Sequence, residues 1–328
     1  MSALFKLKHP TAIRFRPMKC RLCSSSNTQL LFVSENIHGR HLLGREKFNV
    51  LECKNCKVTF TDVDVNSAFY GHYYPKNYYD KFRGNKLVES LLAFLEKFSF
   101  KRKLRLILRH KPPGNRVLEI GCAQGKFLHD LPSTFKKFGV EINENGRRYI
   151  QEHYPEITVY QDGIESQAFE NNHARYDIIF MWHVLEHLKN PTECLDRLSK
   201  LLNENGVFIF EVPNRDSLGF RLTRKQWFHL DTPRHLYHYN QHSLKQLLNQ
   251  SGLKIIEYSG NAVDYWQDFS TSLYKCFRSK IPIVDKALYL MFLPIGFIIR
   301  TLIALFLAQT AEINTYVVKH RHKNVEWN

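Results

Sequence analysis

Seven short apolar runs alternate with stretches of helical periodicity along the chain: Val117–Ile120, Gly139–Ile142, Thr158–Tyr160, Ile178–Met181, Gly206–Val212, Leu253–Tyr258 and Ile313–Val318. Runs this short are strands, and helices between them must cover both faces of one sheet. The pattern therefore predicts an α/β protein with a doubly wound sheet. The 328 residues give room for one large domain and a small one, at roughly 100–200 residues per domain. At 44% hydrophobic and 24% charged residues the composition is that of a globular protein. There is no internal repeat and no low-complexity tract.

The tightest local signal is Val117-Leu-Glu-Ile-Gly-Cys-Ala-Gln-Gly125. A strand ends in a glycine turn and a helix begins just after it. Gly121 suits a turn that a side chain would obstruct, and Gly125 allows backbone to approach a ligand. The spacing G-x-x-x-G differs from the G-x-G-x-x-G that seats a pyrophosphate. Glu119, two residues before the turn, suits a ligand with a positive amino group. Glu141 ends the next strand and can accept from two ribose hydroxyls. Asp162, followed by Gly163, ends the third and can receive an adenine amino group. Carboxyl ends of adjacent strands are where open α/β sheets bind ligands.

These residues, followed by TyrAspIleIlePheMetTrpHisValLeuGluHisLeu, resemble class I S-adenosylmethionine (SAM)-dependent methyltransferases of the ubiquinone-methyltransferase-like branch, over residues 115–260. The resemblance implies a Rossmann-like seven-stranded sheet with an antiparallel last strand. It implies that Glu119, Gly121 and Gly125 line the methionine part of SAM, that Glu141 holds the ribose and Asp162 the adenine, and that Cys122, Ile142 and Gly163 beside them also bind the cofactor. His183 would stand beside the cofactor after the fourth strand. His183-Val-Leu-Glu-His187 also fits the H-x-x-E-H pattern of a zinc protease. That chemistry needs both histidines on one helical face, and His183 lies at a strand end.

Before this domain come a basic tail (1–17), a cysteine-bearing module (18–62) and a tyrosine-rich linker with a helix (63–112, the helix over 86–109). Residues 113–320 form the main domain, and 321–328 a second basic tail. Cys20-x-x-Cys23 and Cys53-x-x-Cys56 stand 29 residues apart. Two such turns can give four thiolates to one structural Zn²⁺. Three single cysteines, Cys122, Cys194 and Cys276, fit a reducing compartment. The basic tail lacks the apolar stretch that export needs, so a cytoplasmic location is expected. A zinc ribbon joined to a SAM domain resembles two families: sugar and surface-polysaccharide methyltransferases, and rRNA guanine methyltransferases. The tyrosine-rich link favours the first, whose tyrosines reach the substrate pocket; Tyr74, Tyr78 and Tyr79 are candidates, with Tyr79 taken as catalytic.

On the substrate side, residues 229–237 hold His229, Asp231, Arg234, His235 and Tyr237. Methyl transfer to oxygen or carbon needs a base, for which histidine is suited. His235 is the first choice, because sugar C-methyltransferases carry Tyr-x-Glu-His there. This chain reads Thr232-Pro-Arg-His235, and Arg234 in place of an acid points instead to an anionic acceptor; O-methylation is the expected chemistry.

Residues 281–309 form an apolar insertion before the last strand. Ala287–Ala308 is long enough to span a bilayer. Both flanking strands belong to one sheet, however, so a re-entrant hairpin or an interfacial helix pair is expected, peripheral or monotopic at the inner face. Lys275, Arg278, Lys280, Lys286, Arg300 and the terminal Lys319–Lys323 cluster would meet an anionic leaflet. A net charge of +16 favours an anionic partner. The expected function is methyl transfer from SAM to a glycan or lipid-linked sugar. The alternatives are an RNA methyltransferase that binds RNA through its ribbon and a non-catalytic SAM-binding scaffold.

Overall fold

Val117, Leu118 and Ile120 are buried on both sides of a five-residue strand, β4 (Arg116–Ile120), as expected for the centre of a covered parallel sheet. The computed structural model describes residues 18–35, 46–66, 69, 73, 86–166, 174–261, 263–279 and 281–321. All seven predicted strands are present: β4, β5 (Lys136–Val140), β6 (Ile157–Tyr160), β7 (Tyr176–Trp182), β8 (Leu202–Pro213), β10 (Leu253–Gly260) and β11 (Ile313–His320). Their order is β10-β11-β8-β7-β4-β5-β6. Strands β4 to β8 run parallel, and β11 lies antiparallel between β8 and β10. The architecture is a Rossmann-like α/β sheet. Its chain order reverses between β4 and β7, which opens a crevice there.

The cysteine module supplies β1 (Thr28–Glu35), β2 (Lys47–Cys53) and β3 (Thr59–Asp62). This antiparallel sheet takes its fourth strand from the main domain: β9 (Tyr237–His238) pairs with β3 through Thr59–His238 and Phe60–Tyr237. The ion pair Arg215–Glu52 at 2.6 Å and the bond from Thr232 Oγ1 to Ser34 Oγ at 3.1 Å reinforce the joint. The two parts therefore share one hydrogen-bonded sheet.

Helices fill the crossovers: α1 (Lys86–His110), α2 (Lys126–Asp130), α3 (Glu144–His153), α4 (Pro191–Leu201), α5 (Leu218–Thr223) and α6 (Gln241–Gln250). Helix α3 is capped by Asn143, whose side chain accepts from the Asn145 and Gly146 N–H groups. Helix α6 carries a full capping box between Asn240 and Ser243. On α1, Leu106 and Ile107 are buried against the sheet, whereas Phe94 and Phe98 stand exposed with their rings tilted against each other at 5.6 Å.

The insertion differs from the expected hairpin. A short helix, α7 (Asp268–Phe277), is followed by one 25-residue helix, α8 (Pro282–Phe306), which packs along it. Pro294 lies inside α8 without ending it; the Ser270 hydroxyl donates to the Leu293 carbonyl at 3.1 Å beside it. At Gly296 a Cβ would come within 2.8 Å of Ser270 Cα, so this glycine sets how closely the helices approach. Arg300 does not face outward. It is 1% exposed and its Nε donates to Asp268 at 2.6 Å. A buried ion pair, not a lipid headgroup, therefore accounts for the cation in the apolar stretch.

Candidate functional site

The carboxyl ends of β4, β5 and β7 open onto a cavity of about 1220 Å³, in the crevice where the strand order reverses. Gly121 and Ala123 form one wall, after β4. Gly121 has φ +73°, and a Cβ there would stand 2.6 Å from Val184 Cγ2, so any other residue would be strained in this turn. Glu141 follows β5. Its carboxylate accepts the N–H of Ala123 at 2.8 Å and of Asn143 at 2.7 Å, which fixes its orientation toward the cavity.

Of the residues expected to hold a cofactor, Gly121, Glu141, Ile142, Gly163 and His183 line the cavity. Four others do not reach its wall. Glu119 is buried, and burial pushes its carboxyl up to about 8 despite the nearby Lys103; its Oε2 has no hydrogen-bond partner among the described residues. Cys122 packs into the core beside Leu128. Gly125 caps α2 with φ +74°, where a Cβ would press on Ile150 at 2.8 Å. Asp162 leaves the wall to Gly163, Ile164 and Glu165.

The opposite wall carries His187, Phe228, His229, Asp231, Arg234, His235, Asp264 and Tyr265. His235 donates Nδ1–H to the His229 carbonyl at 2.7 Å, leaving Nε2 as its acceptor. Burial holds the His235 imidazole well below its ordinary range. Beneath it, Glu186 is buried with His183 Nδ1 at 3.5 Å. Burial alone would raise this carboxyl, but bonding to His183 and the fields of His187 and His235 hold it at about 2. At the floor, Lys103 lies 3.3 Å from Glu211 and 3.0 Å from Asp264, with its ammonium 4.5 Å from the Trp182 ring centre. Tyr79 lies outside the described residues, as do Tyr74 and Tyr78. The H-x-x-E-H segment is a strand end followed by a three-residue 3₁₀ turn, so its two histidines do not share an α-helical face.

The methyltransferase-domain family model matches residues 81–258, more than half of the chain. The chain belongs to this family. Its seven-stranded part is the class I SAM-dependent methyltransferase domain, with the topology described above. A probable SAM-dependent methyltransferase of Mycolicibacterium smegmatis is 24% identical, over 45% of this chain and 55% of that one. The ubiquinone biosynthesis O-methyltransferase of Vibrio cholerae is 29% identical, over 31% and 44% respectively. The chain spans about half the length of the curated relatives it matches. Among solved structures, a SAM-dependent methyltransferase of Archaeoglobus fulgidus is 20% identical, over 70% of this chain and 99% of that one, with a TM-score of 0.45.

Outside the cavity of the methyltransferase domain, the four module cysteines converge. Cys20 Sγ is 3.6 Å from Cys56 Sγ, and Cys23 Sγ is 3.5 Å from Cys53 Sγ. All four sulfurs lie within 4.8 Å of one another. These separations exceed a disulfide's roughly 2.05 Å. They approach the edge of a tetrahedron with metal–sulfur bonds of about 2.3 Å. The Leu22 and Cys56 amides point at Cys20 and Cys53 sulfurs, at 3.4 and 3.5 Å, as donors to thiolates do.

The wall residues Lys103, Asp264 and Tyr265 carried no motif in the sequence, and Trp182 stood inside the quoted motif with no role assigned to it. Lys103 sits mid-helix, 161 positions before Asp264, and only the sheet brings the two together. His229 stood in the histidine-rich segment, but its partner lies 39 positions on.

Proposed function

We propose that this methyltransferase moves a methyl group from SAM to a hydroxyl of a glycan or lipid-linked sugar held at an anionic membrane surface. The observation that carries the reading is the position of α8. Its outer face is apolar and open, with Ile283 at 77% and Phe306 at 76% exposure. It packs on α7, and the segment leading into α7 supplies Asp264 and Tyr265 to the cavity wall. An interfacial helix there would bring the acceptor's headgroup level with the opening. The exposed Arg278 and Lys286 beside it suit anionic lipid.

For the cofactor, the bent backbone at Gly121, the oriented Glu141 carboxylate and Gly163 fit a nucleoside with an amino-acid tail. Glu119, expected at the methionine end, is buried behind that wall with one oxygen lacking a partner among the described residues. When bound, SAM supplies an electrophilic methyl group on a sulfonium. The V. cholerae relative's name, a ubiquinone biosynthesis O-methyltransferase, supports oxygen as the acceptor atom. His235 and His229 both bring an imidazole to this cavity as candidate bases, and Tyr79 remains a candidate catalytic group. Cys20, Cys23, Cys53 and Cys56 would hold a structural Zn²⁺. The net charge of +16 favours a second reading, RNA methylation.

The test supplies radiolabelled SAM and purified protein to separated envelope and RNA fractions. Label entering an envelope glycolipid supports the proposal; label entering RNA alone refutes it. Flotation with phosphatidylserine vesicles tests the membrane part. Ile283→Glu and Phe306→Glu should abolish co-flotation, since a charge within the apolar face opposes insertion.

A further inference from the structure

The side of the cavity facing α8 holds a chain of three buried groups. His229 Nε2 stands 2.8 Å from Asp268 Oδ2. Asp268 Oδ1 accepts from Arg300 Nε at 2.6 Å and from the Phe269 N–H at 2.6 Å. His229 is 3% exposed, Asp268 fully buried. A carboxylate only accepts, so it fixes the His229 tautomer with the proton on Nε2. That leaves Nδ1 as the ring's acceptor. Among the described residues it has no protein partner, and the His229 side chain lines the cavity.

We propose that His229, oriented and charge-balanced by Asp268 and Arg300, is the catalytic base that takes the acceptor's proton. This rests on the methyltransferase reading above. His235 is the weaker candidate on geometry. Its closest carboxylate oxygen in an ion pair, Asp231 Oδ2, is 3.9 Å away, and Asp231 is already held by Arg234 at 2.7 Å. Its own Nδ1–H instead props the His229 carbonyl, which makes it a positioning residue. In the step, the acceptor oxygen forms a bond to the methyl carbon as the carbon–sulfur bond breaks and its electron pair stays on sulfur. The hydroxyl proton passes to His229 Nδ1, giving an imidazolium opposite the Asp268 carboxylate. Solvent then removes that proton. Around His229 the charged and titratable groups include Asp268 on α7, Arg300 on α8, His183 after β7, His238 on β9, His235 and Tyr265. Among the described residues, only Asp268 stands at hydrogen-bonding distance from the His229 ring.

The inference reaches back to the apolar helix, because Arg300 belongs to α8. The helix proposed to lie at the membrane also holds the base's carboxylate in place.

The experiment follows label from SAM into envelope glycolipid for the full chain and for His229→Asn, His229→Ala and Asp268→Asn. General-base catalysis contributes about 10²–10⁴-fold, so both His229 variants should lose about that much while calorimetry still shows SAM binding. His229→Asn retaining most of the transfer would overturn the assignment. If the unaltered chain labels no fraction, the acceptor reading fails by itself. The dyad is then decided by ¹⁵N NMR of the histidines. A neutral, Nε2-protonated His229 whose tautomer changes in Asp268→Asn supports it; a Nδ1-protonated ring, or one indifferent to Asp268, overturns it.

Discussion

Replacing Arg300 with Met isolates the energetics of α8 from its surface. The guanidinium is 1% exposed and Asp268 is fully buried, at 2.6 Å. Methionine keeps the apolar stem but leaves Asp268 with only the neutral His229 and a backbone N–H as partners. Breaking a buried pair on one side costs about 3–5 kcal/mol, most of it the penalty of the uncompensated charge. For a domain of this size each kcal/mol lowers Tm by about 2–4 °C, so the variant should melt about 6–20 °C lower. Asp268→Leu should cost a similar amount, by stranding the cation. The double variant removes both charges and should cost well under the sum, since apolar replacement of a whole buried pair is often near neutral. Urea denaturation of the four proteins closes the cycle. If Arg300→Met costs less than about 1 kcal/mol, as an exposed pair would, or if the two costs simply add, the buried-pair account of α8 is wrong.

Further outcomes follow from other sites. Glu119→Gln should flatten the pH dependence of stability: burial raises the folded carboxyl to about 8, so the folded state holds the proton longer and stability falls as pH rises from about 4.5 to 8. Denaturation at pH 5 and pH 7.5 reads the difference, and an unchanged slope counts against a buried Glu119. Gly121→Ala places a Cβ 2.6 Å from Val184 Cγ2 at φ +73°; it should cost about 1–3 kcal/mol and weaken SAM binding in calorimetry. Elemental analysis should find one zinc per chain, and Cys53→Ser should lose it and lower Tm; a full-stability Cys53→Ser protein without metal would exclude a structural zinc.

Seven strands and the glycine turn were readable because each is a local pattern: a run of apolar residues or a turn with its helix start. The bounds of α1 were readable for the same reason: the helix expected over 86–109 spans Lys86–His110. Arg300 was misread because a cation inside an apolar run looks like an interfacial flank, and its partner Asp268 lies 32 positions away. The continuous α8 was missed because two flanking strands in one sheet pointed to a hairpin, whereas a single helix packed along α7 returns the chain, with Ser270 beside Pro294 and Gly296. The His229–Asp268 pair carried no spacing signal at all. His235 was singled out by a motif resemblance, and only the fold shows which histidine has a carboxylate at 2.8 Å.

The pairing of Thr59 with His238 joins positions 179 apart in sequence. During synthesis the four cysteines emerge before residue 237 does and can gather a metal ion while that strand is still unmade. The edge of their sheet, though, waits for a strand that arrives much later. Closing so long a loop is a late and slow event, and until then β3 presents bare backbone donors and acceptors. Nascent chains halted before residue 237 should therefore be prone to associate edge to edge, and extension by only a few residues should relieve it.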